Sequence, residues 1–227
     1  MPDLRSLQDR GDGTGPPSAR EAIAQQKRLA GKVDTEDRLP DPPTSIAGVD
    51  AAFPHRGTRC RAAAVLMSWP ALEVIETATF ETPTVFPYIP GLLSFRELPA
   101  VLGALERLSS KPDLVLCDGQ GIAHPRRFGI ACHLGVETGL ATVGVGKSRL
   151  CGTHAEPGME KGDFAPLEEN GQTIGRVVRT RSRVRPVFVS AGHRIGLATA
   201  SDLVVRAATR YRLPEPVHRA DRLTRTG

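Results

Sequence analysis

The apolar run from Leu114 to Cys117 constrains the fold most, because no polar residue interrupts it and it ends directly in Asp118. An unbroken run of this length is typical of a strand that is buried on both faces. Gly119 and Gly121 follow the carboxylate, and glycines permit a ligand to approach the backbone closely. Ligands of open α/β sheets bind at the carboxyl ends of the strands. We therefore expect Asp118 to lie in a functional site at the end of a central strand.

Basic residues follow this strand and are concentrated in the last quarter of the sequence. His124, Arg126 and Arg127 come shortly after Asp118, and their side chains are donors suited to phosphate. The whole sequence has 30 basic and 25 acidic residues, a net charge of +5. Residues 176–227 contain twelve arginines and no lysine against three acidic residues. This distribution favours a polyanionic partner, and a solvated basic surface accounts for it equally well.

The sequence indicates one domain in a reducing compartment. At 227 residues it is long enough for one sizeable core, which we assign to residues 18–227 after a flexible lead-in at residues 1–17. The four cysteines form no C-x-x-C pair, which favours buried thiols over disulfides or zinc. No apolar run approaches the length of a membrane span, and the first residues lack an apolar signal core. We expect a cytoplasmic monomer without a membrane partner.

The pattern of apolar residues predicts a mixed α/β fold. A meander of three antiparallel strands comes first and helices then alternate with strands, so we expect a mixed sheet flanked by helices. The predicted helices cover residues 18–32, 94–108, 128–138 and 197–210. The predicted strands cover residues 46–53, 61–69, 72–80, 114–117 and 140–145, with edge strands at residues 176–180 and 186–190. Residues 152–172 are polar with turn signals, and Asp221 lies in a polar tail.

Two further carboxylates are candidate partners of Asp118. Asp50 interrupts an apolar strand, where a charge is costly unless it is paired, bound to a metal or turned outward. Carboxylates that converge without histidine or cysteine favour Mg²⁺. Glu97 lies in Ser94-Phe95-Arg96-Glu97, which also matches a helix capping box. Glu97 is therefore either a capping residue or a ligand.

The segment from Pro87 to Pro90 and the residue Lys147 complete the candidate chemistry. Prolines on both sides of Tyr88 and Ile89 stiffen a loop, and a rigid exposed aromatic ring can stack on a base. Lys147 follows a strand, where it is either a phosphate contact or a surface lysine. A P-loop is excluded because that motif requires glycine at the position of Ala141.

Several stretches, in this order, resemble endonuclease V, the deoxyinosine-directed nuclease of the ribonuclease H-like superfamily. The resemblance runs from Asp41 to Asp221 and depends on Ala47-Gly48-Val49-Asp50, Pro87-Tyr88-Ile89-Pro90-Gly91, Leu93-Ser94-Phe95-Arg96-Glu97, Asp118-Gly119, His124-Pro125-Arg126-Arg127, Gly144-Val145, Lys147, Gly192-His193-Arg194 and Tyr211-Arg212-Leu213-Pro214-Glu215-Pro216. Two positions depart from the usual family pattern. Gln120 stands where histidine is usual, and Gly146 stands where alanine is usual.

The resemblance implies a role for each matching position. Asp50, Glu97 and Asp118 would bind the metal, Asp221 would be the fourth acidic catalytic residue, and Lys147 would support the phosphate or the attacking water. Pro87, Tyr88, Ile89 and Pro90 would form a wedge that separates the strands. The remaining substrate-binding positions would hold the flipped base or the phosphates, and they are Gly91, Leu93, Gly119, Gly121, His124, Arg126, Gly129, Gly144, Ser148 and His193.

The resemblance also implies the reaction. A Mg²⁺-dependent DNA-repair endonuclease, in which Mn²⁺ substitutes for Mg²⁺, would cut the second phosphodiester 3′ of deoxyinosine. The products would carry 3′-hydroxyl and 5′-phosphate ends. An inosine-directed ribonuclease on single-stranded RNA is an alternative, and so is a nucleic-acid-binding module without catalysis. The second alternative predicts missing acidic residues, whereas Asp50, Glu97, Asp118 and Lys147 are all present.

Overall fold

One eight-stranded mixed sheet organises the chain, and the computed structural model describes residues 16–226. The strand order is β3-β2-β1-β4-β5-β8-β7-β6. In chain order the strands are β1 (Ser45–Ala52), β2 (Arg59–Ser68), β3 (Val74–Pro83), β4 (Leu114–Cys117), β5 (Ala141–Gly146), β6 (Phe164–Glu169), β7 (Gln172–Val178) and β8 (Val187–His193). The mixed α/β class expected from the sequence is confirmed. Most of the expected lead-in, residues 1–15, lies outside the described residues.

Helices cover both faces of this sheet. They are α1 (Ala19–Ala30), α2 (Ser94–Leu105), α3 (Ile130–Thr138), α4 (Leu197–Ala207) and α5 (Glu215–Arg225), with a short 3-10 turn at His55–Gly57. Apolar residues of α4 and α5 pack on one face, and those of α2 and α3 pack on the other. The strands between these layers are therefore buried on both sides, as the unbroken apolar run of β4 predicts. None of the described helices has the length and apolar character needed to cross a bilayer.

The parallel strands β1, β4 and β5 place their carboxyl ends at one edge of the sheet. Val49 of β1 lies beside Cys117 of β4, and Cys117 lies beside Gly144 of β5. Asp50 follows Val49, and Asp118 follows Cys117. The Asp118 N–H donates to the Val49 carbonyl at 3.1 Å. Asp50 and Asp118 consequently lie side by side at this edge.

Two helix starts with the same sequence signature differ in the structure. At α1, Ser18 and Glu21 form a reciprocal capping box. At α2 the capping residue is Leu93, with no side-chain capping bond, and the Ser94 hydroxyl instead lies 3.1 Å from His133 Nδ1. Glu97 therefore has no capping role, which removes one of its two alternatives.

Three sequence expectations about the second half of the chain were wrong. The polar stretch 152–172 contains β6, an edge strand that alternates buried and exposed residues. β7 and β8 were both expected at edges, but β7 lies between β8 and β6, and β8 lies between β5 and β7 with all but its last residue buried. The polar tail forms α5, whose buried side contains small residues such as Val217 and Ala220. Only four of the eleven residues of α5 are apolar, so the composition of this segment resembles that of a polar loop.

Candidate active site

Three carboxylates converge at the edge where the parallel strands end. Asp50, Asp118 and Asp221 each offer one oxygen, and these oxygens lie within 4.8 Å of one another. The first two are delivered by β1 and β4, and the third comes from α5. Helix α5 approaches the sheet closely because Gly48 of β1 has no side chain. A Cβ at Gly48 would lie 2.1 Å from the carbonyl carbon of Pro216.

Lys147 links two of these carboxylates. It follows β5, and its Nζ lies 2.5 Å from Asp118 Oδ2 and 2.8 Å from Asp221 Oδ1. Burial opposes its charge, but the contacts with Asp118 and Asp221 outweigh burial and raise the pKa of the ammonium. Arg225 adds a second cation, 2.9 Å from Asp221 Oδ1. The Thr224 hydroxyl donates weakly to Asp50 at 3.3 Å.

Glu97 lies near this cluster but outside its tight group of oxygens. Burial first, and then the charges of Asp50 and Asp118, raise the pKa of Glu97 to about 8. Burial and the charge of Asp118 likewise raise the pKa of Asp50 to about 7. The metal set expected from the sequence was Asp50, Glu97 and Asp118, whereas the structure groups Asp221 with the two aspartates.

The cluster fits a divalent metal ion. The charge of Asp118 contributes to the raised pKa values of Asp50 and Glu97, whereas the contacts with Lys147 and Arg225 outweigh burial and lower the pKa of Asp221. The nearby cations therefore prevail at Asp221 but not at Asp50 or Glu97. Although Lys147 is close to Asp118 Oδ2, this buried oxygen receives no hydrogen bond with acceptable angles among the described residues. An ion held by carboxylate oxygens offsets repulsion of this kind, and all the candidate ligands are oxygens.

A cavity of about 430 Å³ adjoins the carboxylates. Most residues expected to bind substrate line it, together with Asp50, Glu97, Asp118 and Lys147, and these are Tyr88, Ile89, Pro90, Gly91, Leu93, Gly119, His124, Gly129 and Ser148. Its volume lies in the range of small-ligand pockets, roughly 300–1,000 Å³. The structure thus places a base-sized space beside the candidate metal centre.

Five residues expected at the substrate lie outside this lining. Pro87 is exposed next to Tyr88, and Arg126 lies behind the wall, where it contacts Gly91. A Cβ at Gly144 would lie 2.2 Å from Gly121 N, so these two glycines let backbone segments pack beneath the site. His193 pairs with Thr142 at the start of β5. It therefore lies at the amino ends of the parallel strands, whereas the site lies at their carboxyl ends. His193 Nδ1 there accepts the N–H of Asp34 at 3.1 Å.

The two departures from the family pattern fit each other. A Cβ at Gly146 would lie 2.2 Å from Gln120 Nε2, which donates to the Ser148 carbonyl at 3.0 Å. The amide of Gln120 therefore occupies the space that an alanine methyl at position 146 would need.

Gln26 of α1 belongs to the site, although the sequence analysis did not include it. Its side chain is only 1% exposed, and its Nε2 donates to the carbonyls of Gly91 at 2.9 Å and Phe128 at 3.2 Å. Arg126 donates to the Gln26 oxygen and also to the Gly91 carbonyl. Ala22, Gln26 and Leu29 are spaced i, i+4 and i+7, so they lie on one face of the helix. A polar residue on this otherwise apolar face was the signal that could have identified Gln26.

His124 adds a third donor to the same carbonyl. Its Nδ1 accepts the N–H of Arg126 at 3.1 Å, so the ring proton lies on Nε2, which is 3.0 Å from the Gly91 carbonyl. Burial first and the charge of Arg126 second lower the pKa of His124 to about 4, which keeps the ring neutral. Three side chains therefore fix the backbone at Gly91, where the loop of residues 87–90 meets the cavity.

Substituting Gln26 with alanine is expected to loosen this backbone. The change removes a donor from the Phe128 carbonyl and the acceptor of Arg126 Nε, while the Gly91 carbonyl keeps two of its three donors. A buried polar group that loses its partner costs about 1–3 kcal/mol of folding stability. We expect a lower ratio of cleavage at inosine, the substrate that the resemblance implies, to cleavage at adenosine, measured on matched duplexes. Gln25→Ala is the matched control, because Gln25 is on the same helix and makes none of these contacts. Equal ratios for the two variants would contradict the role given to Gln26.

The mixed α/β fold and the carboxylate cluster together define a nuclease with an acidic metal-binding site. Comparison with known proteins gives the family. The endonuclease V family model matches residues 27–222. Endonuclease V of Nostoc punctiforme is 52% identical over 212 residues, which are 93% of this chain and 96% of that protein. The chain belongs to the endonuclease V family, and it is an inosine-specific repair endonuclease.

Solved structures agree with this assignment. The crystal structure of endonuclease V from Streptomyces avermitilis matches with a TM-score of 0.88 at 45% identity and covers 92% of each chain. Ciona intestinalis endonuclease V was crystallised with a 24mer DNA containing an inosine followed by a ribo-adenosine. That structure matches with a TM-score of 0.79 at 27% identity and covers 91% of this chain and 95% of that chain.

Proposed function

We propose that this chain hydrolyses DNA at the second phosphodiester 3′ of deoxyinosine and leaves 3′-hydroxyl and 5′-phosphate ends. The observation that carries the proposal is the convergence of Asp50, Asp118 and Asp221 beside a cavity of base size. A cavity next to the carboxylates, rather than at them, supports a cut displaced from the recognised base. Endonuclease V of Ciona intestinalis was crystallised with a DNA that contains inosine, and this supports deoxyinosine as the recognised lesion.

We propose that the carboxylates hold Mg²⁺, with Mn²⁺ as a substitute. Asp50, Asp118 and Asp221 would ligate the ion, and Glu97 would accept a hydrogen bond from its water or complete the set. When bound, the ion neutralises the scissile phosphate and lowers the pKa of a water molecule. Lys147 is held by Asp118 and Asp221 and so places a permanent positive charge where a phosphate oxygen would approach.

The cavity would take the extruded hypoxanthine. Gly91, Leu93, Gly119 and Gly129 line it, and backbone groups of such residues would contact the base edge. Tyr88 is 68% exposed at the rim, where its ring would stack in the gap that the base leaves. Extrusion costs least for a weakly paired base, which favours inosine over normal purines.

Replacing Tyr88 with alanine is expected to weaken binding to inosine duplex by about 1–3 kcal/mol, the usual value of one aromatic–base stack. Folding should be unaffected because the ring is exposed. Binding is measured by fluorescence anisotropy in EDTA, with Tyr88→Phe expected to restore affinity. Val85→Ala is the matched control, since Val85 is 62% exposed on the same loop and does not line the cavity. A Tyr88→Ala variant that binds inosine duplex as tightly as the parent protein would exclude the stacking role.

One cleavage experiment tests the proposed function. Inosine-containing duplex DNA, single-stranded DNA and single-stranded RNA are each incubated with Mg²⁺, Mn²⁺ or EDTA, and the cut is mapped to the nucleotide. We expect cleavage of duplex DNA one nucleotide beyond inosine with either metal and none in EDTA. Preferential cutting of RNA would favour the inosine-directed ribonuclease, and cleavage in EDTA would overturn the metal assignment.

We further propose that the protein acts in a reducing cytoplasm as a monomer. Cys60, Cys117 and Cys132 are buried free thiols, and Cys151 is a partly buried one. Buried thiols of this kind need no oxidising compartment. Size-exclusion chromatography with light scattering tests the monomer.

A further inference from the structure

A second cavity, of about 460 Å³, lies beside α5 and shares no lining residue with the active-site cavity. Three segments form it: the turn between β2 and β3, the residues that follow α4, and one face of α5. We call it the arginine cavity after the side chains that line it, which are Arg206, Arg210, Arg219 and Arg222. Its volume is that of a small-ligand pocket, roughly 300–1,000 Å³.

Two of the four arginines of the arginine cavity have a carboxylate partner, since Arg206 lies 3.3 Å from Asp202 and Arg219 lies 3.9 Å from Glu215. Glu215 is the one carboxylate in its lining, and Glu215 Oε1 accepts hydrogen bonds from the Thr209 hydroxyl at 2.6 Å and the Arg210 N–H at 3.3 Å. Glu215 therefore orders the segment after α4. Within residues 16–226, the guanidinium groups of Arg210 and Arg222 form no ion pair. Both are exposed, so their donors remain available to an anion.

Aromatic rings fix the shape of the arginine cavity. Tyr211 and His218 are stacked with centroids 3.6 Å apart and an interplanar angle of 21°. Burial lowers the pKa of His218, which favours the neutral ring. Arg206 lies over the ring of Trp69 at 4.8 Å, and this contact holds its planar guanidinium in place. Ordered guanidinium groups match phosphate oxygens in pairs, which a lysine cannot do.

Helix α5 connects this cavity to the metal centre. Asp221 points to the carboxylate cluster, and Arg222 is the next residue, rotated about 100° around the helix axis. The arginine cavity lies on the other side of α5, because the turn between β2 and β3 is at the amino end of β1, where Ser68 pairs with Ser45, whereas the carboxylates are at the carboxyl ends of β1 and β4. The occupant favoured by the charge of the cavity is the polymer of phosphates that the proposed function already brings to α5, provided that it is long enough to cross the helix, rather than a separate small anion.

We propose that the arginine cavity binds phosphodiester groups of the substrate strand outside the cleavage site. This inference rests on the proposed function, because it takes the same nucleic acid as its ligand. The cavity contributes affinity without reading sequence, as phosphate contacts do. Its contribution therefore depends on substrate length and on salt.

Trp69 provides a local readout, since it is the only tryptophan of the chain. Its fluorescence is followed in EDTA during titration with a long inosine duplex and with a short one that ends close to the inosine. The test variant is Arg210→Gln/Arg222→Gln. The matched control, Lys32→Gln/Lys111→Gln, removes the same charge from exposed residues that line neither cavity. Sodium tripolyphosphate is titrated separately as a free phosphate polymer.

We expect the long duplex to change the Trp69 emission of the parent and of the lysine control, and the short duplex to change neither. In the arginine variant the emission change should be lost. The slope of log Kd against log salt for the long duplex should fall by about 2, at about 0.9 per phosphate contact. The short duplex should bind parent and variant equally.

Two results would overturn the inference. One is an arginine variant that binds the long duplex with the same affinity and the same salt dependence as the parent protein. The other is an emission change with tripolyphosphate at low concentration but none with the long duplex, which would assign the cavity to a free anion. Loss of inosine-specific cutting of the short duplex by the parent protein would refute the proposed function instead, and so the two failures are distinguishable.

Discussion

Asp118→Asn is expected to lower kcat by at least about a thousandfold, or about 4 kcal/mol at 1.4 kcal/mol per factor of ten. Asparagine keeps the shape of the side chain but replaces an anionic oxygen at the centre of the carboxylate cluster with an amide. The repulsion that raises the pKa of Asp50 and Glu97 also weakens, so folding stability should be equal or higher. Single-turnover cleavage and thermal unfolding measure the two effects.

Asp113→Asn is the matched control for this experiment, because Asp113 precedes the same strand at its other end. Its Oδ2 accepts the backbone N–H groups of Thr44 at 2.7 Å and Ser45 at 3.1 Å. Losing these charge-assisted bonds should cost about 1–3 kcal/mol of stability and leave kcat unchanged. The opposite pattern, an active Asp118→Asn and an inactive Asp113→Asn, would refute the assignment of the metal centre.

Gly48→Ala is expected to be strongly destabilising, although it adds only one methyl group. The added Cβ would lie 2.1 Å from Pro216 C and 2.4 Å from Val217 N, and these are backbone atoms that cannot rotate away. Overpacking costs typically about 1–3 kcal/mol, and we expect about 3 kcal/mol or more here because α5 must move. Displacement of α5 also withdraws Asp221, so activity should fall even where the protein stays folded.

Chemical denaturation and cleavage rates test this expectation together. Gly31→Ala is the control, since the nearest atom to its Cβ would be 3.8 Å away and its φ is −69°. That substitution should change the free energy of unfolding by less than about 1 kcal/mol. Similar unfolding energies for the two variants would show that α5 does not pack on β1 as described.

Much of the site was predictable because it depends on local patterns. Asp50 and Asp118 each end an apolar run, and parallel strands bring such ends together without further information. Lys147 was predictable for the same reason, since it follows β5. The role of residues 87–90 was predicted from the resemblance, because a short motif can be identified from a few adjacent residues.

Other parts depend on contacts between distant segments, and no local pattern encodes them. The place of Asp221 follows from the packing of α5 on Gly48, and α5 has few large apolar residues to reveal it. β7 and β8 were assigned to edges because β6, which pairs with β7 and ends the sheet, lies within a polar stretch. Gln26 was missed because its three contacts come from other parts of the chain. The roles of individual substrate-binding residues stay predictions.

The crossing of α5 over β1 has a consequence for how the protein loses activity. Asp50 and Asp221 come from segments near opposite ends of the described chain, and they meet only when α5 is docked. Helix α5 packs with small side chains, so its release exposes little apolar surface and costs less than opening the sheet. Warming should therefore abolish the cleavage activity while the strands remain intact. Cooling should restore the activity without refolding of the whole molecule.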